Sequence, residues 1–203
     1  MIGSMASGKS TQRRLLCKNL SDDPKVDHDG DVKGINYSFA TFGNIAALGK
    51  VKENGDGMCD GLDAAFGKIK KEGGELSLRL ALRECDVVII EGSQTSLKWF
   101  DFIKPLAAEY KANIYLIHFK LSYDDNLNRL RQRQSKKLDL AAWEDTKLSD
   151  KNIESIIGKN QQFNNIFDKL KNQCYALQID ALKPPNVINE EIIDYIFRDP
   201  EGI

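Results

Sequence analysis

The chain opens MIGSMASGKSTQ (residues 1–12), and the spacing of Gly3, Gly8, Lys9 and Ser10 within it decides the fold. The spacing fits G-x-x-x-x-G-K-[ST], a loop whose backbone N–H groups wrap phosphates while its lysine reaches the terminal ones. On this reading Gly3, Ser4, Met5, Ala6, Ser7, Gly8, Lys9, Ser10 and Thr11 form the phosphate cradle, and the Ser10 hydroxyl is available to Mg²⁺. Such a loop joins a strand to a helix. The helix is legible over residues 9–20, where Leu15, Leu16 and Leu20 recur at near-helical spacing. The strand is not, because only Met1 and Ile2 precede Gly3. A central strand that short leaves backbone groups of its neighbours unpaired. Two expectations follow: residues ahead of Met1 complete the strand, or another segment fills the gap.

Outward from the loop, residues 86–92 read DVVIIEG. Four consecutive β-branched residues without polar alternation mark a strand covered on both faces, as in a parallel sheet between helical layers. NIYLIHF (113–119) and CYALQID (174–180) read the same way, and INYSFATF (35–42) and NIAALGKV (44–51) form a hairpin turning at Gly43. Helices are predicted over 97–110, 124–134, 153–170 and 187–197, and from Glu75 onward, with Gly73 and Gly74 interrupting the last of these upstream. The turn-rich stretches 21–34 and 52–63 are predicted loops. Alternating strands and helices predict an α/β doubly wound parallel sheet of about five strands, with helices on both faces. The whole chain, 1–203, reads as one domain with a polar lid over residues 129–150.

Composition sets limits on function. With 41% hydrophobic and 29% charged residues, 203 residues suffice for a buried core. No apolar run approaches the roughly 20 residues that span a bilayer, so the expectation is a cytoplasmic protein without a membrane partner. Cys17, Cys59, Cys85 and Cys174 form no C-x-x-C pair, and with His28 and His118 as the only histidines a structural zinc site is not expected. A net charge of −1 restricts any nucleic-acid contact to a local basic patch.

Further chemistry follows from position in the fold. Ligands of a doubly wound sheet bind at the carboxyl ends of its strands, which selects Glu91 over Asp86 as the acid facing the glycine loop. Glu91 would serve the metal or take the proton of an attacking hydroxyl. Arg129 and Arg133, four apart on one helical face, suit the charge that spreads over a phosphoryl group in transfer, whereas Arg131 points elsewhere. In the loop GMCDGLD (57–63), Asp60 and Asp63 are candidates to hold an acceptor or accept its proton, and Tyr37 to stack on a base. A solvated basic face, an acidic surface loop and a core tyrosine are the competing readings of these residues. A guanine-reading N-K-x-D is absent from the sequence.

The loop GSMASGKS, the strand end IIEG and an arginine-rich helix before a polar segment together resemble the P-loop nucleoside and nucleotide kinases. That resemblance implies a five-stranded parallel sheet with the loop strand central, ATP with Mg²⁺ as donor, Ser10 and Glu91 at the metal, and a lid carrying Arg129 and Arg133. The order of ALGK, CDGLD and VIIEG is similar to that of phage kinases acting on 5-hydroxymethyluridine in DNA, which would place the protein in a host cytoplasm. The acceptors implied are modified DNA, a free nucleoside or a nucleotide. An Asp-Arg pair of the kind many monophosphate kinases carry after the third strand is missing, which argues against a monophosphate. An ATP-binding regulator without turnover is the remaining alternative.

Overall fold

The computed structural model describes residues 1–3, 6–48, 62–91, 97–138 and 147–197. Seven strands and six helices occur among them: β1 (Ile2–Gly3), α1 (Lys9–Leu20), β2 (Lys25–Val32), β3 (Ile35–Phe42), β4 (Ile45–Leu48), α2 (Leu62–Glu84), β5 (Val87–Ile89), α3 (Leu97–Glu109), β6 (Tyr115–Lys120), α4 (Tyr123–Leu138), α5 (Asp150–Leu170), β7 (Tyr175–Asp180) and α6 (Pro185–Phe197). Pro185 opens α6, where its fixed φ and missing N–H cost nothing.

The strands form two sheets, β1-β6-β7, all parallel, and β2-β3-β4-β5, in which β4 and β5 are parallel and the other pairs antiparallel. They meet where the Met1 amino group donates to the Ile90 carbonyl at 2.6 Å. Across that joint the parallel strands run β4, β5, β1, β6, β7, with the loop strand in the middle. This is an α/β fold with a parallel sheet and helices.

The apolar strands divide their side chains between two cores. Ile45, Ala47, Ile89, Ile117, Phe119 and Ile179 face α1 and α6. Their sequence neighbours Ala46 and Leu48 face α2, while Leu116 and Ile2 meet Phe100 of α3 and Phe163, Ile166 and Leu170 of α5. A strand buried on both faces needs no polar alternation, which is why 87–90 and 114–117 read as continuous apolar runs. Among the described residues, no helix is long and apolar enough to cross a membrane.

Two expectations need correction. Part of 21–34 is a strand, β2, because Lys33 and Gly34 take positive φ (55° and 82°) and turn the chain back onto β3. Positive φ at both central positions of a two-residue hairpin matches the right-handed twist of the strands. As an edge strand with Val26 half exposed, β2 shows little hydrophobic signal. Gly73 and Gly74 do not interrupt their helix: α2 is continuous through them, and both are buried. There Ser77 Oγ donates to the Gly73 carbonyl at 2.7 Å and accepts the Ser38 amide of β3 at 3.0 Å. Seating α2 this closely on β3 offsets the poor helix propensity of glycine.

Candidate functional site

The glycine loop lies at the carboxyl end of β1, where α1 begins. Gly3 has φ 152°, and a Cβ there would fall 2.8 Å from Ser7 Oγ and 3.1 Å from the Phe119 carbonyl oxygen. Gly8, with φ 94°, is the N-cap of α1 and contributes no side-chain cap. The first turn of α1 has no acidic residue. An α-helix leaves its leading amides without intrahelical partners and carries partial positive charge at that end, so this terminus suits an anion. Lys9 is buried and folds back over the loop: Nζ donates to the Gly3 carbonyl at 2.9 Å and lies 3.5 Å from Ser7 Oγ.

Glu91 is brought to the loop as its strand position predicts. Ser10 Oγ donates to Glu91 Oε1 at 2.5 Å. The other carboxylate oxygen lies 3.6 Å from Arg13 Nε, and both side chains are almost wholly buried. Glu91 Oε2 has no hydrogen-bond partner among the described residues. A hydroxyl and a carboxylate side by side are hard oxygen donors, the set that Mg²⁺ prefers. The residues therefore fit such an ion.

Sequence reasoning missed Arg13. It is fully buried, and its Nη1 donates to the Leu48 carbonyl at 3.0 Å, so one guanidinium ties α1 to the end of β4 and to Glu91. The available signal was its place on the helix, three residues after Ser10 and so on the same face.

Arg129 and Arg133 of α4 line the same cavity as Gly8, Lys9, Ser10 and Thr11, a cleft of about 560 Å³. Arg129 is held there by donating through Nη2 to the Ala181 carbonyl at 2.6 Å. Arg131 is not among the lining residues. The far wall is Leu182, Lys183, Pro184 and Pro185, between β7 and α6. Gln12 anchors this wall by donating to the Pro185 carbonyl at 2.8 Å, and it accepts from Asn189 at 3.3 Å. The wall was legible only indirectly, as the carboxyl end of a parallel strand.

Other candidates are not brought here. Tyr37 packs beside Phe39 with ring centroids 6.3 Å apart, among the residues between α2 and the sheet, and does not line the cleft. Tertiary burial of that face of β3 explains why its aromatic serves the core. Ser4, Met5 and Asp60 lie outside the described residues, as does the side chain of Asp63 in α2. The lid is described only as α4 to Leu138 and again from residue 147. Burial pushes the thiols of Cys85 and Cys174 upward in pKa, so neither is a ready thiolate. No cluster of metal-ligating His, Cys, Asp or Glu occurs among the described residues.

No protein-family model matches the chain, and no curated protein matches it significantly. Among solved structures it is similar to a deoxyadenosine kinase from M.mycoides with the products dCMP and dCDP bound, at a TM-score of 0.45 and 13% identity over 96% of each chain.

Proposed function

We propose that this protein is an ATP-dependent phosphotransferase that moves a γ-phosphoryl group to an alcohol. One observation carries the reading: a single cleft collects the loop lysine, the start of α1 and two arginines, and Ser10 in its wall is hydrogen-bonded to the buried Glu91. Lys9 and the loop amides would hold the β- and γ-phosphates of ATP, with Gly3 and Gly8 allowing the backbone to approach. Ser10 and Glu91 would hold Mg²⁺, which when bound neutralises phosphate charge. Arg13 keeps the Glu91 carboxylate in place. Arg129 and Arg133 would stabilise the charge on the moving group, for which preorganised cations in a cleft are suited. The wall from Leu182 to Pro185 offers apolar surface for the adenine.

For the acceptor, the resemblance in ALGK, CDGLD and VIIEG supports 5-hydroxymethyluridine in DNA, with Asp60, Asp63 or Glu91 taking the hydroxyl proton. Incubation with γ-labelled ATP and a panel of modified DNA, free nucleosides and nucleotides tests this directly. Label in hydroxymethyluridine DNA, lost in Lys9→Ala, is the expected result. Label in free nucleosides alone replaces the DNA acceptor with a small molecule. ATP binding without transfer to any acceptor overturns the enzyme reading.

A further inference from the structure

Along the wall of the cleft between β7 and α6, every backbone N–H can be followed to its partner, because a polar backbone group that has none inside the protein is left for water or a ligand. The Ala181 N–H donates to the Lys120 carbonyl at 2.9 Å, and the Leu182 N–H to Asp180 Oδ1 at 2.9 Å. The Lys183 N–H donates to the Asp180 carbonyl at 3.3 Å. Pro184 and Pro185 carry no N–H. The Ile188 N–H closes the first turn of α6 on the Pro184 carbonyl at 3.1 Å. These six residues are the whole of that wall, and none keeps a backbone donor for a ligand. The one charged side chain among them, Lys183, gives its ammonium to Glu191 of α6 at 2.5 Å.

Acceptors remain. The Ala181 carbonyl takes Arg129 Nη2 and the Pro185 carbonyl takes Gln12 Nε2, so α4 and α1 hold the two ends of the strap. Between them, among the described residues, nothing donates to the carbonyls of Leu182 and Lys183. Leu182, Pro184, Pro185 and Ile188 present apolar side chains to the same cleft. The wall thus offers apolar surface to the face of a ring and only carbonyl oxygens to its edge. An amino group set against those oxygens is satisfied. A carbonyl set against them is not, and a polar group shut away from water without a partner costs more than a hydrogen bond returns.

We infer that this wall selects the base of the bound triphosphate by its exocyclic group, taking 6-aminopurine and 4-aminopyrimidine rings and disfavouring their 6-oxo and 4-oxo counterparts. Resting on the triphosphate site proposed above, the selection narrows its ligands to ATP and CTP over inosine triphosphate and UTP. Ring size matters less, because apolar side chains stack on either ring, whereas the polarity of the base edge must match a wall that can only accept.

The test measures dissociation constants of the full chain, with Mg²⁺ present, for two pairs that keep the ring and change the exocyclic group: ATP with inosine triphosphate, and CTP with UTP. Inorganic tripolyphosphate, which has no base, is measured beside them. The expected result is an amino form bound at least about tenfold more tightly than its oxo form in both pairs. Leu182→Arg, at a half-exposed position, puts donors on the wall and should cut both ratios by about threefold or more, any added attraction for the phosphates cancelling within a pair. A ratio near one in either pair, or ratios that Leu182→Arg leaves unchanged, overturn selection by the wall, while binding of tripolyphosphate keeps the phosphate site. Failure of all five ligands to bind overturns that site and the selection together.

Discussion

The two ends of β1 are built on opposite principles. At the carboxyl end the contacts that shape the loop are close and mostly polar: a Cβ at Gly3 would meet Ser7 Oγ and Phe119, Lys9 bonds to the Gly3 carbonyl, and Ser10 bonds to Glu91. At the amino end the Met1 amino group borders an apolar cavity whose walls come from β5, β6, α2, α3 and α5 besides β1 itself. The carboxyl end draws most of its groups from residues 3–13 and is specified by spacing. The amino end depends on shape, because apolar packing is non-directional and needs a filled volume. Removing the polar side chains of the first end should therefore abolish activity at small cost to folding, whereas disturbing its glycine backbone or the second end should change stability.

The largest expected effect is on catalysis. Lys9→Ala should lower phosphoryl transfer by about 10³-fold, the scale for losing a preorganised charge at the reacting group. Near-unchanged circular dichroism would show that the fold survives. Glu91→Gln should keep ATP binding and slow transfer by roughly 10²-fold, read as a fall in kcat with little change in KM for ATP. Full turnover by either variant would break the distinction between the two ends.

Acidification probes the amino end. The Met1 amino group has a pKa lowered to about 5 from 8.0 by burial, against the attraction of Glu91. The unfolded chain binds that proton more readily. Stability from this group is complete above pH 8 and falls as pH drops toward 5, by up to about 4 kcal/mol. His118 acts in the same direction lower down: burial, helped by Lys120, lowers its pKa to about 4, so its contribution is lost from pH 6.5 toward pH 4, by up to about 3 kcal/mol. Urea titrations at pH 8, 6.5 and 5 measure the sum. Replacing His118 with Gln should flatten only the lower part of the profile.

Gly3→Ala tests how tightly the carboxyl end is closed. With a Cβ 2.8 Å from Ser7 Oγ and a φ that L-residues rarely adopt, it should destabilise by about 2–3 kcal/mol in urea unfolding and also impair ATP binding. The smallest effect belongs outside both regions. Gly34→Ala, at φ 82° with open space around it, should cost about 1 kcal/mol through the backbone alone and leave phosphoryl transfer unchanged.

The sequence by itself determined the features that are local or periodic. The loop and α1 were legible because G-x-x-x-x-G-K-S is a contiguous instruction to the backbone. β5 and most of β6 were legible because burial on both faces leaves apolar runs, and β7 from the short apolar stretch before Gln178, although it is an edge strand with Tyr175, Gln178 and Asp180 exposed. Glu91 was found because a parallel strand has a defined ligand end, and Arg129 with Arg133 because four residues are one helical turn. Tertiary structure decided what depends on residues far apart in the chain. Arg13 meets Glu91 and the Leu48 carbonyl only once three elements converge. Tyr37 is claimed by the core under α2, and α2 passes through Gly73 and Gly74 because β3 approaches there. β2 exists because β3 supplies its hydrogen bonds, although its own residues are mostly polar and exposed. Spacing specifies a turn, a face or a strand end, but which side chains share a low-dielectric space is fixed by packing, which no single stretch of sequence contains.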